Sequence, residues 1–158
     1  MRITKEEAVK GSDAVISVLG PTGASKSLPI SKGMQNIVGA MKMYEVKRII
    51  ATTTPSAADP QDSFDLKFKL AVLMVKLFIP SAYQDIVKTA EAIRATDLDW
   101  TIVRLPILNN KPKQGRVNAG YIGDGKVNLY LSRADLVDFL LGQLEDGTAT
   151  QNAPAISN

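Results

Sequence analysis

The chain has 158 residues, 45 % of them hydrophobic, which is enough for one domain with a real core. Its 19 basic and 16 acidic residues leave a net charge of +3 spread along the chain without a basic block, so nucleic acid is not an expected partner. It contains no cysteine and no histidine, which excludes disulfides, thiol nucleophiles, zinc sites and every relay that needs an imidazole. Proton transfer is left to Tyr, Lys, Asp, Glu or solvent.

Residues 4–10 read as the end of a helix closed by Gly11. The start, MRITKEEAVKG, is charged and unlike a secretory signal, and with the lack of cysteine it leads to an expected cytoplasmic location. After Asp13 comes AVISVLG, apolar on both faces and rich in β-branched residues, as in a buried parallel strand. Residues 31–45 carry Met34, Ile37, Val38 and Met41 at helical spacing, with Ser31 as the expected N-cap. VKRIIATTTP is a second buried strand, stopped by Pro55.

Residues 56–65 form a polar loop with Pro60 and three aspartates. Residues 66–79 predict an apolar helix. Its run LAVLMVKLFIP is shorter than the roughly 20 residues a spanning helix needs, and Lys76 interrupts it. It reads as a buried core helix, and no membrane is expected as a partner. Pro80 separates it from an amphipathic helix, SAYQDIVKTAEAIRATD. LDWTIVRLP is a third strand, residues 109–125 a loop, and KVNLYLS a short strand. SRADLVDFLLGQLEDG predicts a helix capped by Ser132, with Asp135 at the capping-box position and Gly147 beyond its end. APAIS allows one last short strand. Strands separated by helices predict a doubly wound parallel α/β sheet in a single domain over 1–158.

The segment GPTGASKS, residues 20–27, is one residue from a phosphate-binding P-loop, with Ser25 in place of the second glycine. It is also one residue from a dinucleotide fingerprint, with Lys26 in place of the last glycine. Neither motif has its partner. No later strand ends in a metal-holding Asp, and the second strand ends in ATTTP where the fingerprint needs an acid. The plain reading is a Gly/Pro loop at the carboxyl edge of a sheet, where open α/β folds bind ligands.

GSDAVISVLGP, VKRIIATTTPS, AEAIRATDLDWTIVRLP and LSRADLVDFLL follow the order and spacing of the atypical short-chain dehydrogenase/reductases. The chain most resembles their NmrA-like, NAD(P)-binding group, which includes flavin and biliverdin reductases. The resemblance implies a Rossmann-like fold in which AVISVLG is the fourth strand, so that the glycine fingerprint would lie ahead of Met1 and GPTGASKS would be a decoy. It implies an NAD or NADP cofactor and hydride transfer to a small-molecule flavin, quinone or carbonyl substrate; the alternative is a non-catalytic binding or regulatory module. It places Leu19, Gly20 and Pro21 beside the cofactor ribose and nicotinamide, Thr53 and Thr54 near the substrate carbonyl, and Arg104 and Pro106 behind the nicotinamide. Thr53 and Tyr83 are the candidate catalytic residues. The Tyr-x-x-x-Lys dyad of ordinary short-chain dehydrogenases is not met, because Tyr83 and Lys88 are five apart and rotate away from each other on a helix. Without strands ahead of it, residues 14–19 would form an open edge, and the expectation is a homodimer or aggregate through that edge, or a fold truncated by loss of its N-terminal half.

Overall fold

The computed structural model describes residues 5–158 apart from 22, 24, 26 and 147–149. In chain order the elements are α1 (Lys5–Val9), β1 (Ala14–Ser17), α2 (Pro29–Met43), β2 (Arg48–Thr53), α3 (Leu66–Phe78) and α4 (Pro80–Arg94). They continue with β3 (Asp99–Arg104), β4 (Ile107–Asn109), β5 (Asn118–Gly120), β6 (Tyr130–Ser132), α5 (Arg133–Asp146) and β7 (Ala155–Ser157). Five strands form one sheet in the order β1-β2-β3-β7-β5, and β4 pairs with β6 in a separate two-stranded ladder. β1, β2, β3 and β7 are parallel, and β5 runs antiparallel to β7. The doubly wound, Rossmann-like α/β fold is the observed one.

The alternation of side chains along the central strands builds two cores. Ile49, Ala51, Trp100 and Ile102 face one side and pack with Met34, Met41, Ile86 and Ile93 of α2 and α4. Ile50 and Val103 face the other side and pack with Leu136 and Leu140 of α5. Arg48 ties the layers together: its guanidinium donates to the carbonyl of Gln143 in α5 at 2.8 Å and to Thr101 Oγ1 at 2.8 Å.

Several readings change. β1 is only partly buried, with Ile16, Val18 and Leu19 exposed at or just beyond it, because among the described residues it pairs with β2 alone and forms the sheet edge. α3 is not a core helix: Phe68 is its one buried residue, packed with Ile122, Val127 and Leu129, while Leu66, Leu70, Leu73 and Leu77 on its outward side are exposed. The N-cap of α2 is Leu28, in a left-handed conformation (φ 50°), and Ser31 lies in the first turn with its hydroxyl donating back to Leu28 O at 3.2 Å. The loop at 109–125 also contains β5, while only the last three residues of KVNLYLS are strand. Ser132 caps α5 as expected, its Oγ accepting from Asp135 N at 3.1 Å, but the box does not close: the Ser132 N–H donates to Asn158 Oδ1 at 3.2 Å, and the Asp135 carboxylate accepts from the Ser132 hydroxyl instead. Gly147 lies outside the described residues. No single helix among them is long and apolar enough to cross a membrane.

Candidate functional site

Parallel pairing brings the carboxyl ends of β1, β2 and β3 to one edge, where a cleft of ≈ 240 Å³ opens. Its walls are Val18–Pro21 after β1, Thr52–Thr54 at the end of β2, and Leu105, Pro106 and Leu108 after β3, closed by Ile30, Ile86 and Thr89. Leu19, Gly20, Pro21, Thr53, Thr54 and Pro106 are thereby brought together. Thr53 is 7 % exposed and its Oγ1 has no hydrogen-bond partner, although a buried hydroxyl ordinarily finds one. Thr52 is satisfied by donating to Ser17 O at 3.5 Å, and Thr54 Oγ1 accepts from Ser56 N at 3.3 Å.

A second cleft of ≈ 300 Å³ adjoins the first and shares Pro21, Thr54, Ile86, Leu105 and Pro106 with it. The inner side of α3 (Phe68, Ala71, Val72, Val75) roofs it, and Ile107 and Leu129 form the far wall. Its lining is almost wholly apolar. Among the described residues no titratable side chain lines either cleft.

Two candidates are not at this edge. Arg104 is fully buried, and its Nη2 donates to Asp62 Oδ1 at 2.7 Å while Nε donates to Ala153 O at 2.8 Å. It lines neither cleft, and with its guanidinium taken by Asp62 it fixes the 56–65 loop instead of backing a ligand. Burial works to raise the Asp62 carboxyl, but the Arg104 hydrogen bond, the Asp59 and Ile122 amides and the Arg104 charge carry it below the usual carboxylate range. Tyr83 is half-buried on α4 with Lys76 Nζ 5.6 Å from its ring centre, and it lines neither cleft. Lys88 is exposed.

The sequence matches the NAD(P)H-binding family over residues 4–147. The chain belongs to this family. Among solved structures it is similar to the oxidoreductase ylbE from Lactococcus lactis, at 21 % identity and a TM-score of 0.75, covering 97 % of this chain and 65 % of that one. It is also similar to a short-chain dehydrogenase/reductase from Veillonella parvula in complex with NADP, at 19 % identity and a TM-score of 0.75, covering 98 % and 66 %. A third similarity is to ChuY, an anaerobilin reductase from Escherichia coli O157:H7, at 16 % identity and a TM-score of 0.68, covering 95 % and 66 %. The chain therefore spans slightly less than two thirds of the length of these structures.

In this member of the NAD(P)H-binding family the start of α2, which follows the segment GPTGASKS, leaves no helix end for a phosphate. Pro29, in the first turn, has no N–H to satisfy, and the next two amides donate to the buried Asp85 of α4: Ile30 N to Oδ2 at 3.0 Å and Ser31 N to Oδ1 at 2.7 Å. A carboxylate of the protein itself fills the place an anion would take. Sequence reading missed this cap because its partner is more than fifty residues away on another helix. Thr22, Ala24 and Lys26 lie outside the described residues.

The remaining charged candidates serve the fold. Asp135 accepts from the amides of Gln114 and Gly115, and these bonds, with those from Ser132 and Asn158, hold its carboxyl below the usual range. Arg133 donates to Asn110 Oδ1 at 2.7 Å, Lys113 pairs with Asp138, and Lys111 and Arg116 are exposed.

Proposed function

We propose that the chain carries the nicotinamide and substrate side of an NAD(P)H-dependent reductase whose acceptor is a flavin, a quinone or another carbonyl compound. The observation that carries this reading is the pair of adjoining clefts at the carboxyl ends of β1, β2 and β3, with the orphaned Thr53 hydroxyl at the wall of one and an apolar chamber beyond it. The residues present fit the nicotinamide end of the cofactor: Leu19, Gly20 and Pro21 offer a wall, and Thr53 offers an unused hydroxyl to an amide or carbonyl. The cofactor, when bound, supplies the hydride. The apolar chamber excludes water and suits a flat, weakly polar acceptor. Among the described residues no titratable group lines either cleft, so these residues leave the proton to solvent, which favours a flavin or quinone over a carbonyl that needs an enzymic acid.

The second reading, a binding module without catalysis, is favoured by one observation. The α2 N-terminus, which borders the first cleft at Ile30, is already taken by Asp85.

Calorimetric titration of the chain with NADPH, with light scattering on the same sample, separates the two. The reductase reading expects saturable binding, weakened about five-fold in Thr53→Val by loss of one hydrogen bond, with stability unchanged or raised. Absence of binding to a folded protein overturns it in favour of the module. The scattering tests a further expectation, that the β1 edge pairs with a second copy. Dimers that Ile16→Lys dissolves support that pairing, and a monomeric wild type rejects it.

A further inference from the structure

The outward side of α3 is the largest unexplained surface of the molecule. Leu66, Leu70, Leu73 and Leu77 repeat at intervals of four, three and four, which stacks them in one stripe along the helix. They are 45 to 65 % exposed, although large apolar side chains in such a row ordinarily face a core. The stripe is bounded by Phe64 before the helix and Phe78 at its end, both exposed. Scattered apolar residues on a surface mean little, but a continuous stripe marks a contact.

The charges beside the stripe say what it contacts. Helix α3 holds Lys67, Lys69 and Lys76 and no acidic residue. At 100° per residue, Lys69 and Lys76 fall on one flank of the stripe and Lys67 on the other. None of the three forms an ion pair among the described residues. Lys69 Nζ lies 5.2 Å from the centre of the Phe64 ring and Lys76 Nζ 5.6 Å from that of Tyr83, so these two ammonium groups rest over aromatic faces with no carboxylate of the described residues beside them. A second copy of this face would set three lysines against three lysines with no carboxylate on either helix. An apolar strip between cationic borders, with aromatics at both ends, instead matches a surface that is apolar within and anionic at its boundary.

We propose that α3 seats the protein on the surface of an anionic lipid bilayer, its leucine stripe in the acyl boundary and its lysines at the head groups. The helix has 13 residues, so it lies in the interface and does not span it. The expectation of no membrane contact rests on a buried α3, and the exposed stripe removes that ground. The proposal is independent of the reductase reading.

The test is co-sedimentation of the full chain with vesicles of phosphatidylcholine alone and of phosphatidylcholine mixed with phosphatidylglycerol. The expected result is binding to the mixed vesicles only, released by salt and lost in Leu73→Glu/Leu77→Glu. Converting Lys67, Lys69 and Lys76 to Gln weakens binding about five-fold per lysine removed. These lysines are exposed, so that variant decides the matter even if the leucine variant does not fold. The proposal is overturned if the wild-type chain ignores mixed vesicles. It is equally overturned if the folded leucine variant binds as well as wild type, or if scattering shows that α3 instead joins two copies or an acidic protein added as competitor takes its place.

Discussion

Helices α3 and α4 are consecutive, joined only by Ile79, and of similar length, yet they use their apolar residues in opposite ways. α4 is the less apolar of the two and buries Ala82, Ile86, Thr89, Ala90 and Ile93 against α2 and the sheet. α3 is nearly continuous in apolar residues and buries Phe68 alone. The difference lies in side-chain size and neighbours. Small residues on α4 let α2 approach closely, while the leucines of α3 stand on a face for which the described chain supplies no partner. Hydrophobicity alone therefore does not place a helix in the core.

Truncating each helix at its apolar face breaks the comparison most directly. Ile93→Ala in α4 leaves a cavity in a fully buried site and is expected to cost about 2–5 kcal/mol in urea unfolding. If it costs no more than a surface change, the packing assigned to α4 is wrong. Next is the loop that delivers the chain to α3. Asp62→Asn strips the buried Arg104 of its counter-charge, with an expected loss of about 3 kcal/mol. Because the Asp62 carboxyl is depressed in the folded protein, its contribution is full above the ordinary carboxylate value of about 4 and fades as pH falls through the depressed one. Wild type should lose stability along that acid limb, and Asp62→Asn should show a flatter one. A smaller effect, about 2 kcal/mol, is expected for Asp85→Ala, which takes from α4 the carboxylate that caps α2. Smallest is Leu77→Ala in α3, expected within about 0.5 kcal/mol of wild type, and a larger loss would mean that the stripe has a partner within the chain.

How far these features were legible in the sequence follows from the distance over which each is determined. The central strands were plain because RIIATT and DWTIVR are apolar on both faces, which only a covered parallel sheet requires. The Ser132 cap was plain because it reaches an amide only three residues on, whereas its own N–H finds Asn158 at the far end of the chain. Asp85 was not, since as a lone acid on an amphipathic helix it gives no sign that it will be buried beneath the start of another. Arg104 was legible as a strand-end residue and not as the partner of Asp62, because alternation along β3 decides its side only once the ladder is in register. At the clefts, sequence put Leu19, Gly20, Pro21, Thr53, Thr54 and Pro106 at strand ends, and the structure brings them to one edge. The orphaned state of Thr53 and the apolar chamber under α3 depend on packing that no local pattern encodes.

The Asp85 cap has a consequence for motion. The carboxylate belongs to α4, and the amides of Ile30 and Ser31 belong to α2, so neither helix end can fray while the other stays in place. In native-state hydrogen exchange the two amides should share the opening free energy of α4, forming one cooperative unit instead of exchanging as helix starts usually do. Ile30, Ile86 and Thr89 of the first cleft belong to α2 and α4, so that side of the cleft is held by this unit and ligand entry falls to its other walls.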